Sequence, residues 1–113
     1  MDCLFCKILT GEIPAELVYE SETAVAFRDI NPQAPTHVLV IPRKHIATIN
    51  DIGEDDQAIV GSLYTAAQEI AAQEGIADAG YRAVMNCNEG AGQTVFHLHL
   101  HVLGGRPMEW PPG

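Results

Sequence analysis

Apolar positions along the chain switch between two periods, and each switch marks a predicted element. From Asp2 to Thr10, Leu4, Phe5, Ile8 and Leu9 recur at helical spacing, with Gly11 where such a helix should stop. A short amphipathic helix is predicted there. After Pro14, residues 16–20 and 23–28 are β-prone runs separated by Ser21 and Glu22, the pattern of a hairpin. Asn31 to Pro35 is a loop on turn chemistry, and Thr36 to Ile41 is a β-branched run closed by Pro42. From Glu54 to Gly75 the period lengthens again: Ile59, Val60, Leu63, Tyr64, Ala67, Ile70 and Ala71 recur every three or four residues and predict the longest helix. Strands are predicted over 80–86 and 95–103, the first followed by the loop Glu89–Gly92 and the second ended by Gly104 and Gly105. Nothing repeats. The expected architecture is α+β: an antiparallel sheet of about five strands, one long helix and a short N-terminal helix.

Composition narrows what this architecture can serve. The 113 residues suffice for one compact core and are too few for two ordinary domains, so 1–113 is expected to be a single domain. Lys and Arg number 6 against 15 Asp and Glu, a net charge of −9, which argues against a broad grip on a nucleic acid backbone. Any phosphate must be met locally. The N-terminus shows no basic leader, and no apolar run approaches the ~20 residues that span a bilayer, so a cytoplasmic location without membrane attachment is expected. In a reducing cytosol, Cys3, Cys6 and Cys87 are expected to be thiols or metal ligands.

Chemistry concentrates in the last predicted strand. His97, His99 and His101 alternate there with Leu98, Leu100 and Val102, so the imidazoles are expected on one face and the aliphatic residues in the core. Neighbouring rings on one strand face stand ~6.6 Å apart, close enough for one small anion to touch several. A solvated face and a metal site are the competing readings, since His-x-His pairs also bind zinc. Phosphorus chemistry is favoured by the preceding segment, Asn86 to Thr94: its glycines free backbone N–H groups, and Gln93 and Thr94 add side-chain donors. It has no Gly-Lys-Ser/Thr and leads into a strand, which separates it from a Walker loop.

The run from Gln93 to Leu103 resembles the signature of the histidine triad (HIT) family. The resemblance extends through Phe5–Ile8, Glu12–Pro14, Phe27–Ile30, Pro35–Pro42 and Lys44–Ile46, and the tail Gly104–Gly113 is similar to the Hint branch, the histidine triad nucleotide-binding proteins. It implies a homodimer whose two sheets join, acting on adenosine and guanosine 5′-monophosphoramidates. His99 would attack the α-phosphorus to form a nucleotidyl-histidine that water then releases. His97 and His101 would flank the phosphate, with His37 orienting the site and Thr94, in place of a serine common in the branch, donating its hydroxyl. Asn86, Gln93 and the backbone at Val95 would complete the phosphate shell. Phe5, Ile8, Ile13, Phe27 and Leu39 would hold the nucleobase, Asp29 the ribose hydroxyls, and Trp110 in the tail 104–113 would reach the partner's site.

Cys3-x-x-Cys6 resembles a zinc-carrying bacterial group of the family, which implies Cys3, Cys6, His45 and His97 as a closed, structural site, with no cofactor required for catalysis. If His97 ligates metal, Thr94 and His101 carry the proton chemistry instead. Cys87 is expected to be inert. Three rival activities share the triad: a dinucleoside polyphosphate hydrolase, opposed only by the tail; a nucleotide-binding scaffold without turnover; and a hydrolase using the three histidines as open metal ligands. A nucleotidylyltransferase is disfavoured because the relative of that activity carries Gln where His101 stands.

Overall fold

The computed structural model describes residues 2–113. Five strands form one antiparallel sheet in the order β1-β2-β3-β5-β4: β1 is Leu17–Glu20, β2 Ala24–Arg28, β3 Thr36–Pro42, β4 Tyr81–Val84 and β5 Leu100–Gly104. Helix α1, Leu4–Leu9, lies on one face, and α2, Gln57–Gln73, on the other. The expected α+β class and element order are observed.

Strand alternation explains the two-sided burial. On β2, Ala24 and Ala26 join Val38, Val40, Leu100 and Val102 beneath Leu63, Ala66, Ile70 and Ala71 of α2. Their neighbours Val25, Phe27, Leu39 and Ile41 pack on the opposite face with Cys3 and Phe5 of the α1 segment. All seven residues of β3 are buried. Gly104 is where β5 meets the chain after α2: a Cβ there would come within 2.6 Å of Ile76 Cδ1, so only glycine permits this approach.

Two strands are shorter than their apolar runs predict, for one reason. The β3–β5 ladder runs from Thr36↔Gly104 to Val40↔Leu100. Beyond it stands Pro42, which has no N–H to offer, and the Pro42 carbonyl accepts from His97 Nε2–H at 2.8 Å. Residues 95–99 therefore leave the ladder, held instead by Leu98 N–H on the Ile46 carbonyl at 2.7 Å. Because β5 begins only at Leu100, β4 has no partner beyond Val84, which pairs with His101. The predicted long helix likewise starts with a 3-10 turn, Glu54–Asp56, because the buried Asp56 carboxylate accepts Gly53 N–H and tightens it.

Candidate active site

A cavity of about 500 Å³ opens on the α1 face of the sheet. His99 and His101 stand at one end with ring centroids 5.0 Å apart, joined in the wall by Thr94 and Val95. Phe5 and Ile8 of α1 and Ile13 after it face Phe27 of β2 and Leu39 of β3 across an apolar remainder, with Asp29 at its edge. The Phe5 ring meets Phe27 edge-on at 5.4 Å and His99 edge-on at 5.1 Å, which ties the apolar half to the histidine half. Leu4, Pro14, Ala15 and Ile30 line it as well and were not anticipated. Ile30 is fully exposed beside an acidic turn, and an apolar side chain in such a place was the signal that could have marked it.

The ring nitrogens are assigned by their neutral partners. His99 Nδ1 lies 2.8 Å from the His97 carbonyl; a carbonyl only accepts, so Nδ1 carries the proton and Nε2 keeps its lone pair. At His37 the logic reverses: Gln33 N–H donates to Nδ1 at 3.0 Å, so the proton is on Nε2. That Nε2–H donates to His101 Nδ1 at 2.9 Å, which leaves His101 protonated on Nε2. His99 thus offers a lone pair and His101 a neutral N–H donor. Burial pushes His37 below the ordinary histidine value, and burial with His99 and His37 nearby pushes His101 down to about 4. The pair is neutral at pH 7. Asp29 Oδ2 stands 3.4 Å from His37 Nε2, while its Oδ1 accepts Asn31 N–H at 2.8 Å.

A second cluster lies next to the first. Cys3 caps α1, its Sγ accepting Cys6 N–H at 3.4 Å. His97 Nδ1 lies 3.5 Å from Cys3 Sγ, 3.6 Å from Cys6 Sγ and 3.1 Å from His45 Nδ1; Cys6 Sγ to His45 Nδ1 is 3.4 Å. Four ligands at zinc distances in a tetrahedron give edges of ~3.4 Å between nitrogens and ~3.6 Å between sulfur and nitrogen. The observed edges match. Because His97 Nε2–H is donated to Pro42, its Nδ1 lone pair faces the centre, as a metal ligand requires. Burial and the Cys3 hydrogen bond raise the Cys6 thiol above its ordinary value, a preference that a bound cation would reverse. The donor set fits a zinc ion. Asp29, His37 and His101 also converge, but metal at His37 Nε2 would displace the proton its Nδ1 bond requires, so they fit a hydrogen-bonded relay.

Two residues expected at the phosphate lie away from the cavity wall. His97, expected to flank the phosphate, is fully buried with both nitrogens engaged away from the cavity, because the chain has left the ladder at Leu100. Gln93, expected in the phosphate shell, donates both amide hydrogens to the Ala47 and Val95 carbonyls and accepts Asn88 N–H. It braces the loop. Asn86 is half-buried and outside the cavity wall, and Trp110 is 83% exposed on the tail, also outside it. Cys87 is half-buried beside the loop.

A five-stranded antiparallel sheet between one long and one short helix, with paired histidines at the end of its central strands, defines a class, and the comparisons agree. The HIT domain model matches residues 10–108, and the chain belongs to the HIT family. It is 51% identical over 112 residues to an uncharacterized HIT-like protein of Synechococcus elongatus, covering 99% of this chain and 97% of that one. It is 50% identical over 107 residues to the purine nucleoside phosphoramidase of Escherichia coli K12, covering 95% and 90%. Among solved structures, the HIT family hydrolase from Legionella pneumophila superposes with a TM-score of 0.97 at 57% identity, over 99% of this chain and 100% of that one.

Proposed function

We propose that this chain is a purine nucleoside phosphoramidase of the Hint branch, releasing a nucleoside 5′-monophosphate and an amine from adenosine and guanosine phosphoramidates. The observation that carries the reading is the His99 tautomer: its Nδ1–H is held by the His97 carbonyl, so the Nε2 lone pair serves as the nucleophile. His99 Nε2 forms a bond to the α-phosphorus as the P–N bond breaks. His101 Nε2–H stabilises the phosphoryl oxygens as charge develops. Thr94, exposed at the rim, passes its hydroxyl proton to the leaving nitrogen and recovers one from solvent. Water then attacks phosphorus, breaks the P–N bond to His99 and releases the monophosphate. The apolar walls take the purine and Asp29 the ribose. The 50% identity to the Escherichia coli phosphoramidase supports this substrate class.

Zinc held by Cys3, Cys6, His45 and His97 would be structural, since four protein ligands close the coordination sphere and leave no position for reactive water. A homodimer is supported by β4, an end strand whose alternate residues are exposed and whose outer edge has no strand partner among the described residues. In that assembly the 1–113 unit is one HIT domain, and the tail 104–113 with Trp110 meets the partner's site. No helix among the described residues is long and apolar enough to cross a membrane. The net charge of −9 supports an enzyme acting on single nucleotides and not on nucleic acid polymers, and a cytoplasmic location is part of the same reading.

The test is release of AMP from an adenosine phosphoramidate. His99→Ala should abolish turnover while AMP binding persists, and full activity in that variant would overturn the mechanism.

A further inference from the structure

His37 and His101 share one hydrogen bond that has two possible polarities. Either His37 Nε2–H donates to His101 Nδ1, leaving a donor at His101 Nε2, or the direction reverses and His101 presents a bare lone pair to the cavity. The group that decides is Gln33 N–H, which donates to His37 Nδ1 at 3.0 Å and admits only the first state. Gln33 lies in the exposed turn between β2 and β3, where a backbone N–H needs external support to stay on target.

That support comes from the start of the C-terminal tail. Arg106 Nε–H donates to the Gln33 carbonyl at 3.1 Å. Gly105, at φ +91, lies so close to Pro35 that a Cβ would come within 2.9 Å of the Pro35 ring. Within the turn, Gln33 Nε2 donates to the Asn31 carbonyl at 3.1 Å, and Asn31 N–H reaches Asp29. Further along the tail, Arg82 donates to the Glu109 carbonyl at 2.8 Å, which anchors the same segment to β4. No carboxylate pairs with Arg106 among the described ion pairs; its Nη1 donates to the Pro107 carbonyl.

We propose that Arg106 is a positioning residue for catalysis: by holding the Gln33 carbonyl it steadies the residue whose N–H sets the polarity of the His37–His101 hydrogen bond, and so keeps a donor at His101 Nε2. The tail thereby does more than reach outward, because its first residues brace the loop that joins Asp29 to the start of β3, where His37 stands. The effect on turnover rests on the phosphoramidase reading above; the effect on the rings does not.

The experiment measures the ring nitrogens and the rate in the same variants. In 15N-labelled protein, long-range proton–nitrogen spectra should show His37 and His101 both protonated at Nε2. In Arg106→Ala both rings should become mixtures of tautomers, with kcat lowered roughly tenfold, short of the ~10²-fold or greater loss from deleting such a donor outright. KM should change less than twofold. Arg106→Lys, whose ammonium can reach the same carbonyl, should restore the wild-type ring pattern and most of the rate. With His37→Gln already present, Arg106→Ala should lower kcat no further. An unchanged ring pattern in Arg106→Ala overturns the proposal, whether or not the melting temperature falls. Were the protein inactive on every phosphoramidate, the phosphoramidase reading would fail while the ring spectra still decided the role of Arg106.

Discussion

His97 and His99 are joined through the backbone of one and the ring of the other: the His97 carbonyl accepts His99 Nδ1–H at 2.8 Å, while the His97 ring points back to the thiols of α1. The residue that completes the Cys2His2 cluster thus also fixes the tautomer of the proposed nucleophile. His101 completes the division of labour from the other side, as a neutral donor whose proton is set by His37. Three histidines that alternate evenly in sequence therefore do three different things.

Metal content follows from the cluster geometry. Protein purified without chelator should carry one zinc per chain by elemental analysis, and Cys6→Ser should lose it. At free zinc about 100 times Kd, occupancy stabilises a fold by about 2.7 kcal/mol. That corresponds to a rise of about 10 °C in Tm for a chain of this size. A melting temperature indifferent to both zinc and a strong chelator would count against the site.

Much of this was legible in the alternation of His97 to Val102, because a strand sends alternate side chains to opposite faces; the alternation holds along β5 and fails where the ladder ends, since His97 is as buried as Leu98. Leu98, Leu100 and Val102 are buried as expected. The strand boundary was not legible, because it depends on Pro42, distant in sequence, whose carbonyl is taken by a side chain. Nor could Gln93 be assigned: its amide is as able to brace a loop as to bind phosphate, and only the positions of Ala47, Asn88 and Val95 decide. Backbone partners such as Gln33 N–H carry no sequence signal of their own.

Acid should destabilise the fold through the buried histidines. The folded pKa of His101 is about 4, below the ~6.5 of an unfolded histidine, so the unfolded chain binds more protons in that interval. The contribution is fully present above pH ~6.5 and is lost as pH falls toward 4, and His37, lowered by burial, adds in the same direction. Urea midpoints measured from pH 7.5 to 4.5 should fall, and His101→Gln should flatten the dependence. An equal slope in that variant would show that other groups control it.

Ile30 offers a separation of binding from folding. Its side chain is 101% exposed, so Ile30→Ser should change stability by less than about 0.5 kcal/mol. Yet it lines the cavity, and covering it with a nucleoside would bury apolar surface worth roughly 1 kcal/mol. KM should therefore rise roughly fivefold with kcat unchanged. A fall in kcat without a change in KM would place Ile30 outside the nucleoside site.

The contact between Gly104 and Ile76 is the closest approach made at any of the glycines. A Cβ at Gly104 would lie 2.6 Å from Ile76 Cδ1, 3.1 Å from Cβ and 3.2 Å from Cγ2, so moving one flexible atom does not relieve it. Gly104→Ala should destabilise by about 1–3 kcal/mol, the usual range for overpacking. Since Ile76 is only 6% exposed, shortening it to Ala alone should also be destabilising, by about 2–5 kcal/mol, through the cavity it leaves. Combined, the two changes should be less harmful than their sum, because the new methyl occupies part of the vacated space. Chemical denaturation of the two single variants and the double variant measures this directly; strict additivity would mean that β5 shifts away from the chain after α2 and does not press against it.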